Sequence, residues 1–255
     1  MDKESGNRLA KALTHIGTIL TKSGADVHRV EDTMQRVCRA YGASVIDAYV
    51  TPSLLIISFS FDDQKELFHN IKRIYGSAYD LSKIDKINSL SREICTSPLD
   101  IDELEARLES IDKESGYPSY ILIAAAALAS FSFTIIFGGD IYDALCALFV
   151  GAIVMVFDKL LAKIELASFI KNIILGAILT FFSLLATSIF TIDGDIVTMA
   201  TIMLLVPGLI ITNAVRDSVN GDLISGITRA IEAIFIALAV SLGSASVLII
   251  FGGLL

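Results

Sequence analysis

Apolar positions follow two regimes along this 255-residue chain. Up to about residue 118 they recur at helical or strand spacing among charged residues; beyond it they run almost unbroken. Leu9, Ala12, Leu13, Ile16, Ile19 and Leu20 repeat every three or four residues and predict a helix over Asn7–Lys22, stopped at Ser23-Gly24. Asp26 is placed to cap a second helix reaching Tyr41, with Val27, Val30, Met34 and Val37 on one face and Gly42 as its stop. The rhythm then changes to β-branched and aromatic residues. Ser44–Thr51 and Ser53–Phe61 read as strands divided at Pro52, and Asp62-Asp63 as a turn into a third strand, Lys65–Ile74. Helices over Leu81–Cys95 and Asp100–Lys113, with Pro98 between them, complete the order α-α-β-β-β-α-α of a small α+β domain.

The second regime holds five apolar stretches near the length that crosses a bilayer, about 20 residues. They are Tyr120–Phe137, Ile141–Phe157, Asn172–Phe190, Ile196–Val215 and Leu223–Leu255. Gly138-Gly139-Asp140 joins the first two as a tight turn. Five such stretches in succession leave no polar faces to meet water, so a buried soluble core does not account for them. The pattern predicts an α-helical multi-pass membrane protein with five transmembrane helices over 119–255, preceded by an N-terminal α+β domain over 1–118.

Composition sharpens that boundary. Residues 1–118 hold 15 Lys/Arg and 19 Asp/Glu, whereas 119–255 hold 5 and 9. The division falls near Gly116-Tyr117-Pro118. Lys159, Lys163 and Lys171 lie between spans two and three, and Arg216 and Arg229 around the connection of spans four and five. The opposite connections, Gly138–Asp140 and Thr191–Asp195, carry no Lys or Arg. The positive-inside rule therefore predicts a cytoplasmic N-terminal domain and an outside C-terminus in the plasma membrane. The net charge of −8 leaves no basic stripe for nucleic acid, nor a polybasic anchor for anionic lipid. Cys38, Cys95 and Cys146 are scattered and odd in number, which reads as reduced thiols. The start of the chain, with Asp2, Lys3 and Glu4, lacks the pattern of a signal peptide.

Catalytic chemistry has no visible footing. His15, His28 and His69 sit in no metal-ligand spacing, and no P-loop or dinucleotide fingerprint occurs. No metal, cofactor or enzymatic activity is expected. Val27–Asp32 reads as the solvated face of a helix, with His28 and Glu31 on it.

Polar residues inside the last two spans are a different matter. Pro207 removes a backbone hydrogen bond within a span, and Gly208 beside it lets the chain bend. Broken membrane helices of this kind line substrate sites in transporters. Thr212 and Arg216 are four apart, as are Asn213 and Asp217; in the next span Asp222, Ser225, Arg229 and Glu232 repeat at three, four and three. Such a set can bind an amino acid through Arg229, Asp222, Asn213 and Thr212, or a dicarboxylate through its arginines. A plainer reading makes Arg216, Asp217 and Asp222 the polar ends of two helices, and pairs Arg229 with Glu232 inside the bundle. Were a proton carried through these spans, Glu232 would be its candidate carrier, since burial raises a carboxyl pKa towards the working pH.

Three stretches resemble the threonine/serine exporter family, in particular its split, YjjP-like members. They are Ser23-Gly24-Ala25 with Arg29-Val30-Glu31, Val50-Thr51-Pro52, and Val206-Pro207-Gly208 through Thr212-Asn213-Ala214 to Gly221, Ser225-Gly226, Arg229 and Glu232. The resemblance implies proton-driven export of a small amino acid, or of a C4-dicarboxylate as proposed for some YjjP-like members. It also implies a second small membrane subunit supplying the other half of the transporter, with a homo-oligomer as the alternative. Where several family members carry a second proline two residues after the glycine, Ile210 stands here, which implies a milder break. Ala237, Ser241 and Ala245, and likewise Ala239 and Gly243, recur every fourth residue and allow close helix packing, either within the bundle or against that partner. A membrane-anchored sensor or scaffold is the rival from another class; the intramembrane polar stripes count against it, since an anchor needs none.

Overall fold

The computed structural model describes residues 2–61, 66–77, 79–164 and 166–251. The chain divides into two compact units. One comprises Met1–Gly116 with Leu209–Ala230, the other Tyr117–Gly208 with Ile231–Leu255.

In the first unit, α1 (Lys3–Lys22) and α2 (Val27–Ala40) precede an antiparallel sheet of β1 (Val45–Val50), β2 (Leu54–Ser60) and β3 (Leu67–Arg73). Then come α3 (Leu81–Thr96) and α4 (Ile101–Lys113). The predicted elements are all present, with ends displaced by a few residues. The expected turn at Asp62-Asp63, and Lys65, lie outside the described residues. Leu9, Leu13, Ile16 and Leu20 of α1 meet Met34 and Val37 of α2 and Leu55, Ile57, Phe59 and Phe68 of the sheet in one core. Phe59 stacks on Phe68 with ring centroids 5.6 Å apart. Burying side chains of this size contributes about 1.5–3 kcal/mol each, which is how a small domain offsets its ordering entropy. Arg8 reaches Glu105 and Asp102, fastening α4 to α1.

The second unit holds α5 (Ser119–Ile136), α6 (Ile141–Leu161), α7 (Ser168–Ile189) and α8 (Gly194–Ile202), with the greater part of α10 (Leu223–Phe251). Gly138, at φ +88°, makes the tight α5–α6 turn, and Asp140 and Asp143 form a capping box that starts α6. α8 packs against α5, α6 and α7. α7 and α10 touch backbone to backbone: a Cβ on Gly243 would collide with the Ile173 carbonyl, and one on Gly176 with that of Val240. Ser244 Oγ donates to the Gly176 carbonyl at 3.2 Å. Ala239 and Gly243 are therefore packing residues within the bundle, whereas Ala237, Ser241 and Ala245 stay exposed.

Among the described residues, four helices are long and apolar enough to cross a membrane: α5, α6, α7 and α10. The expected count of five is not reproduced. The stretch anticipated as one fourth span, Ile196–Val215, is two shorter helices, α8 and α9 (Gly208–Val219). Leu204 and Leu205 donate to the carbonyls of Thr201 and Ile202, tightening the end of α8, and Pro207 follows without an N–H to continue the ladder. The break is complete despite Ile210 standing in place of a second proline. α9 and the first turns of α10 group with the first unit.

Candidate functional site

A buried polar cluster forms in the first unit, where α9 and the start of α10 meet the turn between α1 and α2. Gly24, at φ +94°, lets that turn reverse sharply, and Tyr79 fills the space a side chain would need there. The turn exposes backbone carbonyls and opens the N-terminus of α2, whose first N–H groups have no partner within the helix. Asp26 Oδ1 accepts from the Arg29 N–H at 3.0 Å. Asp217, distant in sequence, supplies a second cap: its Oδ1 accepts from the Val27 N–H at 3.0 Å. Two carboxylates thus sit at the positive end of the α2 dipole.

Cations follow the carboxylates. Arg216 Nη1 meets Asp26 Oδ2 at 3.1 Å. Arg229 Nη2 donates to the Ala25 carbonyl at 3.0 Å, and its Nε lies 3.0 Å from Asp217 Oδ2. The Asp217 side chain is fully buried and that of Arg229 nearly so. Although close, Nε and Oδ2 meet at an angle that makes no hydrogen bond, so the pair holds by charge with one donor and one acceptor unused. Asn213 Nδ2 donates to the Gly24 carbonyl at 2.8 Å. The hairpin of α9 and α10 is itself tight: Gly226 lies against Ser218 and the Ala214 carbonyl, and Gly221 turns the chain at φ +98°.

Burial raises the Asp217 carboxyl above the usual carboxylate range; the Val27 N–H and Arg229 oppose the shift, while Asp26 and Asp222 reinforce it. Glu31, on α2, is also pushed up by burial, with Asp222 adding to the shift. Its Oε1 accepts from the Val50 N–H at 2.8 Å, which ties α2 to the end of β1.

Of the residues singled out from sequence, Asn213, Arg216, Asp217 and Arg229 converge on the Gly24–Val27 turn. Asp222 acts electrostatically on Asp217 and Glu31, and Ser225 is buried on α10. Thr212 is exposed on α9. Glu232 is exposed and makes no ion pair among the described residues; the carboxylate paired with Arg229 is Asp217. Pro207 and Gly208 mark the helix break. Gly24, Ala25, Asp26 and Glu31 belong to the cluster but were not among the site residues expected. Their signal was present, since Ser23-Gly24-Ala25 and Glu31 carry part of the family resemblance, but Asp26 read only as a helix cap and Glu31 as solvated.

The second unit carries an open cavity of about 1000 Å³ lined by Asp140, Asp143, Asp193, Asp195, Thr187 and Thr198, among others. Asp143 is buried there and accepts from the backbone N–H groups of Asp140 and Asp193 at 2.9 and 2.8 Å. None of these was expected as a site residue. Among the described residues no group of His, Cys, Asp and Glu is arranged to hold a metal ion.

Known proteins place the chain. The model of the family described as "Putative threonine/serine exporter" (ThrE) matches residues 11–251. A Mycobacterium tuberculosis protein named "Probable threonine/serine exporter" is 20% identical over 229 residues, which cover 89% of this chain and 43% of that relative. Proteins named "Probable succinate transporter subunit YjjP" are 22% identical: the one from Klebsiella aerogenes over 98% of this chain and 97% of its own length, the one from Escherichia coli K12 over 99% and 98%. The chain thus spans less than half of the mycobacterial relative and nearly the whole of the other two. No solved structure matches it significantly. With four apolar helices of membrane-spanning length and a family match over most of its residues, this membrane protein belongs to the ThrE family of transporters.

Proposed function

We propose that the chain is a subunit of a proton-coupled secondary exporter for small zwitterionic amino acids of the threonine/serine type. The observation that carries this reading is the buried Arg229–Asp217 pair, which leaves one donor and one acceptor unused. An α-amino acid presents a carboxylate and an ammonium a short distance apart. Inserted into the pair, its carboxylate takes the Arg229 guanidinium and its ammonium takes Asp217, while Gly24 and Ala25 offer carbonyls nearby. Entry requires the α9–α10 hairpin to part from the turn. A proton on Asp217 removes the ammonium's partner, so proton and substrate compete for one carboxylate. Competition of that kind exchanges them across a membrane, and the raised Asp217 pKa brings the carboxyl closer to the working pH. On this geometry Asp217 replaces Glu232 as the proton carrier.

Charge weighs against a dianionic substrate. The cluster holds two arginines against Asp26, Asp217, Asp222 and Glu31, and the cavity of the second unit is lined by four aspartates. Both carry the wrong sign for a dicarboxylate. A C4-dicarboxylate exporter is the second reading, favoured by the two relatives that match along their whole length and are named for succinate. A second membrane subunit is part of the proposal, because the mycobacterial relative is more than twice as long and the other two are named as subunits. The Lys/Arg distribution supports a cytoplasmic N-terminal domain over 1–118 in the plasma membrane; an outside C-terminus requires the interrupted stretch Ile196–Val215 to complete a crossing of its own beside the four long apolar helices.

The test is uptake of labelled threonine, serine and succinate into inverted vesicles containing the chain and its partner subunit, with and without an acidic lumen. Threonine or serine should accumulate only against the proton gradient. Succinate accumulation unaffected by either amino acid overturns the zwitterion reading in favour of the dicarboxylate.

A further inference from the structure

An antiparallel sheet with one face on a core normally presents a polar outer face to water. This one does not. Its inner face is buried through Leu55, Ile57, Phe59 and Phe68. On the outer face Val45 is 57%, Tyr49 45%, Leu67 60% and Ile71 61% exposed. The register arranges them in rows across the strands. Val45 and Leu67 flank Ser60 in one row, and Tyr49 and Ile71 flank Ile56 in another. Between these apolar rows lies a polar one, Asp47–Ser58–His69, with the acid on edge strand β1 and the imidazole on edge strand β3.

We infer that this face is a docking surface for a second copy of the same chain, the two sheets packing face to face about a two-fold axis along β2. Such an axis lays β1 of one copy over β3 of the other. Asp47 then faces the partner's His69, Tyr49 faces the partner's Ile71 and Val45 the partner's Leu67, and each pairing is made twice, as an isologous interface requires. Facing sheets stand about 10 Å apart, the distance over which side chains from both interdigitate. The other two-fold arrangement, with its axis across the strands, lays β1 on β1 and sets Asp47 against the partner's Asp47. Like charges disfavour it. A bilayer surface offers no reason for an acid and an imidazole at mirrored edges of one row, whereas a second copy uses both. Three strands of this length present roughly 400 Å² per copy, about half of a standard interface. Confinement of both copies to one membrane raises their effective concentration and compensates. The inference does not depend on the substrate.

The test uses the full chain in its membrane. Two differently tagged chains, one Val45→Cys and one Leu67→Cys, both with the exposed Cys95 replaced by serine, are co-expressed and treated with a bismaleimide spanning about 10 Å. The mixed pair should cross-link at least several-fold more than Val45→Cys with itself, whose thiols lie on opposite edges of the sandwich. Adding Asp47→His alone, or His69→Asp alone, to both chains should reduce the cross-link. Combining the two substitutions should restore it, since an acid and an imidazole face each other again. Four results overturn the inference: equal cross-linking of mixed and like pairs, no mixed cross-link, single exchanges without effect, or a double exchange that fails to rescue. The last would mean that a different partner covers the face. Asp47 and His69 are both exposed, and unchanged thermal melting of each variant shows that the fold is retained.

Discussion

Arg229 holds its Nε 3.0 Å from Oδ2 of Asp217, with their side chains 5% and 0% exposed, while Oδ1 of the same carboxylate caps α2 at Val27. One aspartate therefore serves a helix N-terminus, an arginine and the closure of the α9–α10 hairpin. Breaking a buried pair leaves an uncompensated charge, which costs about 3–5 kcal/mol; replacing both members is far milder. Asp217→Asn and Arg229→Met should each lower the thermal stability of the chain markedly, and the double variant should recover part of the loss. Transport should be absent in all three. A double variant that restores stability and also transports would show that the pair is structural only.

Asn213 bonds the Gly24 carbonyl. Asn213→Ala removes that donor and should cost about 1–2 kcal/mol, a smaller loss than either change in the ion pair. Substrate binding measured by calorimetry should weaken with it. Equal melting temperatures for Asn213→Ala and the unaltered chain would contradict the contact.

Glu31 has a raised pKa because it is partly buried. Its unfolded form ionises near 4.5, so between that pH and the higher folded value unfolding releases a proton. Stability from this group is fully present below 4.5 and falls as pH rises through the folded value. Glu31→Gln keeps an acceptor for the Val50 N–H and removes the titration. Denaturation curves across mildly acidic pH should fall less steeply with rising pH for the variant. A steeper fall would reverse the sign of the assignment.

Glycines separate strained from open positions. Gly24→Ala meets both a φ of +94° and the Tyr79 ring, and should destabilise by about 1–3 kcal/mol. Gly243→Leu drives α10 off α7 and should prevent stable accumulation in the membrane. Gly208 has open space around it, so Gly208→Ala should leave expression and melting near those of the unaltered chain. Thermal melting of Gly24→Ala and Gly208→Ala in detergent, with the membrane level of Gly243→Leu, checks the order, and a Gly208→Ala chain as unstable as Gly24→Ala would refute it.

Orientation rests on the lysines of the α6–α7 connection and the cation-free connections opposite. A reporter that works only outside the membrane should be active when fused after Gly139 or after Leu255. Activity of a cytoplasmic reporter after Gly139 would invert the proposed topology, and after Leu255 alone would show that the interrupted stretch Ile196–Val215 does not cross.

The fold was legible wherever local pattern decides it. Period-3.6 apolar spacing marked α1 and α2, β-branched and aromatic runs divided at Pro52 marked the strands, and continuous apolar runs marked α5, α6, α7 and α10, because each depends on residues close together in the chain. Pro207 marked the helix break for the same local reason, although the separation into α8 and α9 went further than one proline required. Pairing was another matter. Arg229 and Glu232 share a helix face at three residues' spacing, yet Arg229 turns to Asp217 on another helix and to the Ala25 carbonyl on a distant turn. Glu31 looked solvated from its neighbours and is half-buried because β1 ends against it. The sequence by itself determined which segments are helices and strands and, apart from the broken stretch Ile196–Val215, which are long apolar helices, since those depend on residues within a turn or two of one another. Only the tertiary structure decided which carboxylate each arginine meets and which face of the sheet stays bare, because those depend on surfaces the chain brings together from far apart, and no spacing along the chain encodes that distance.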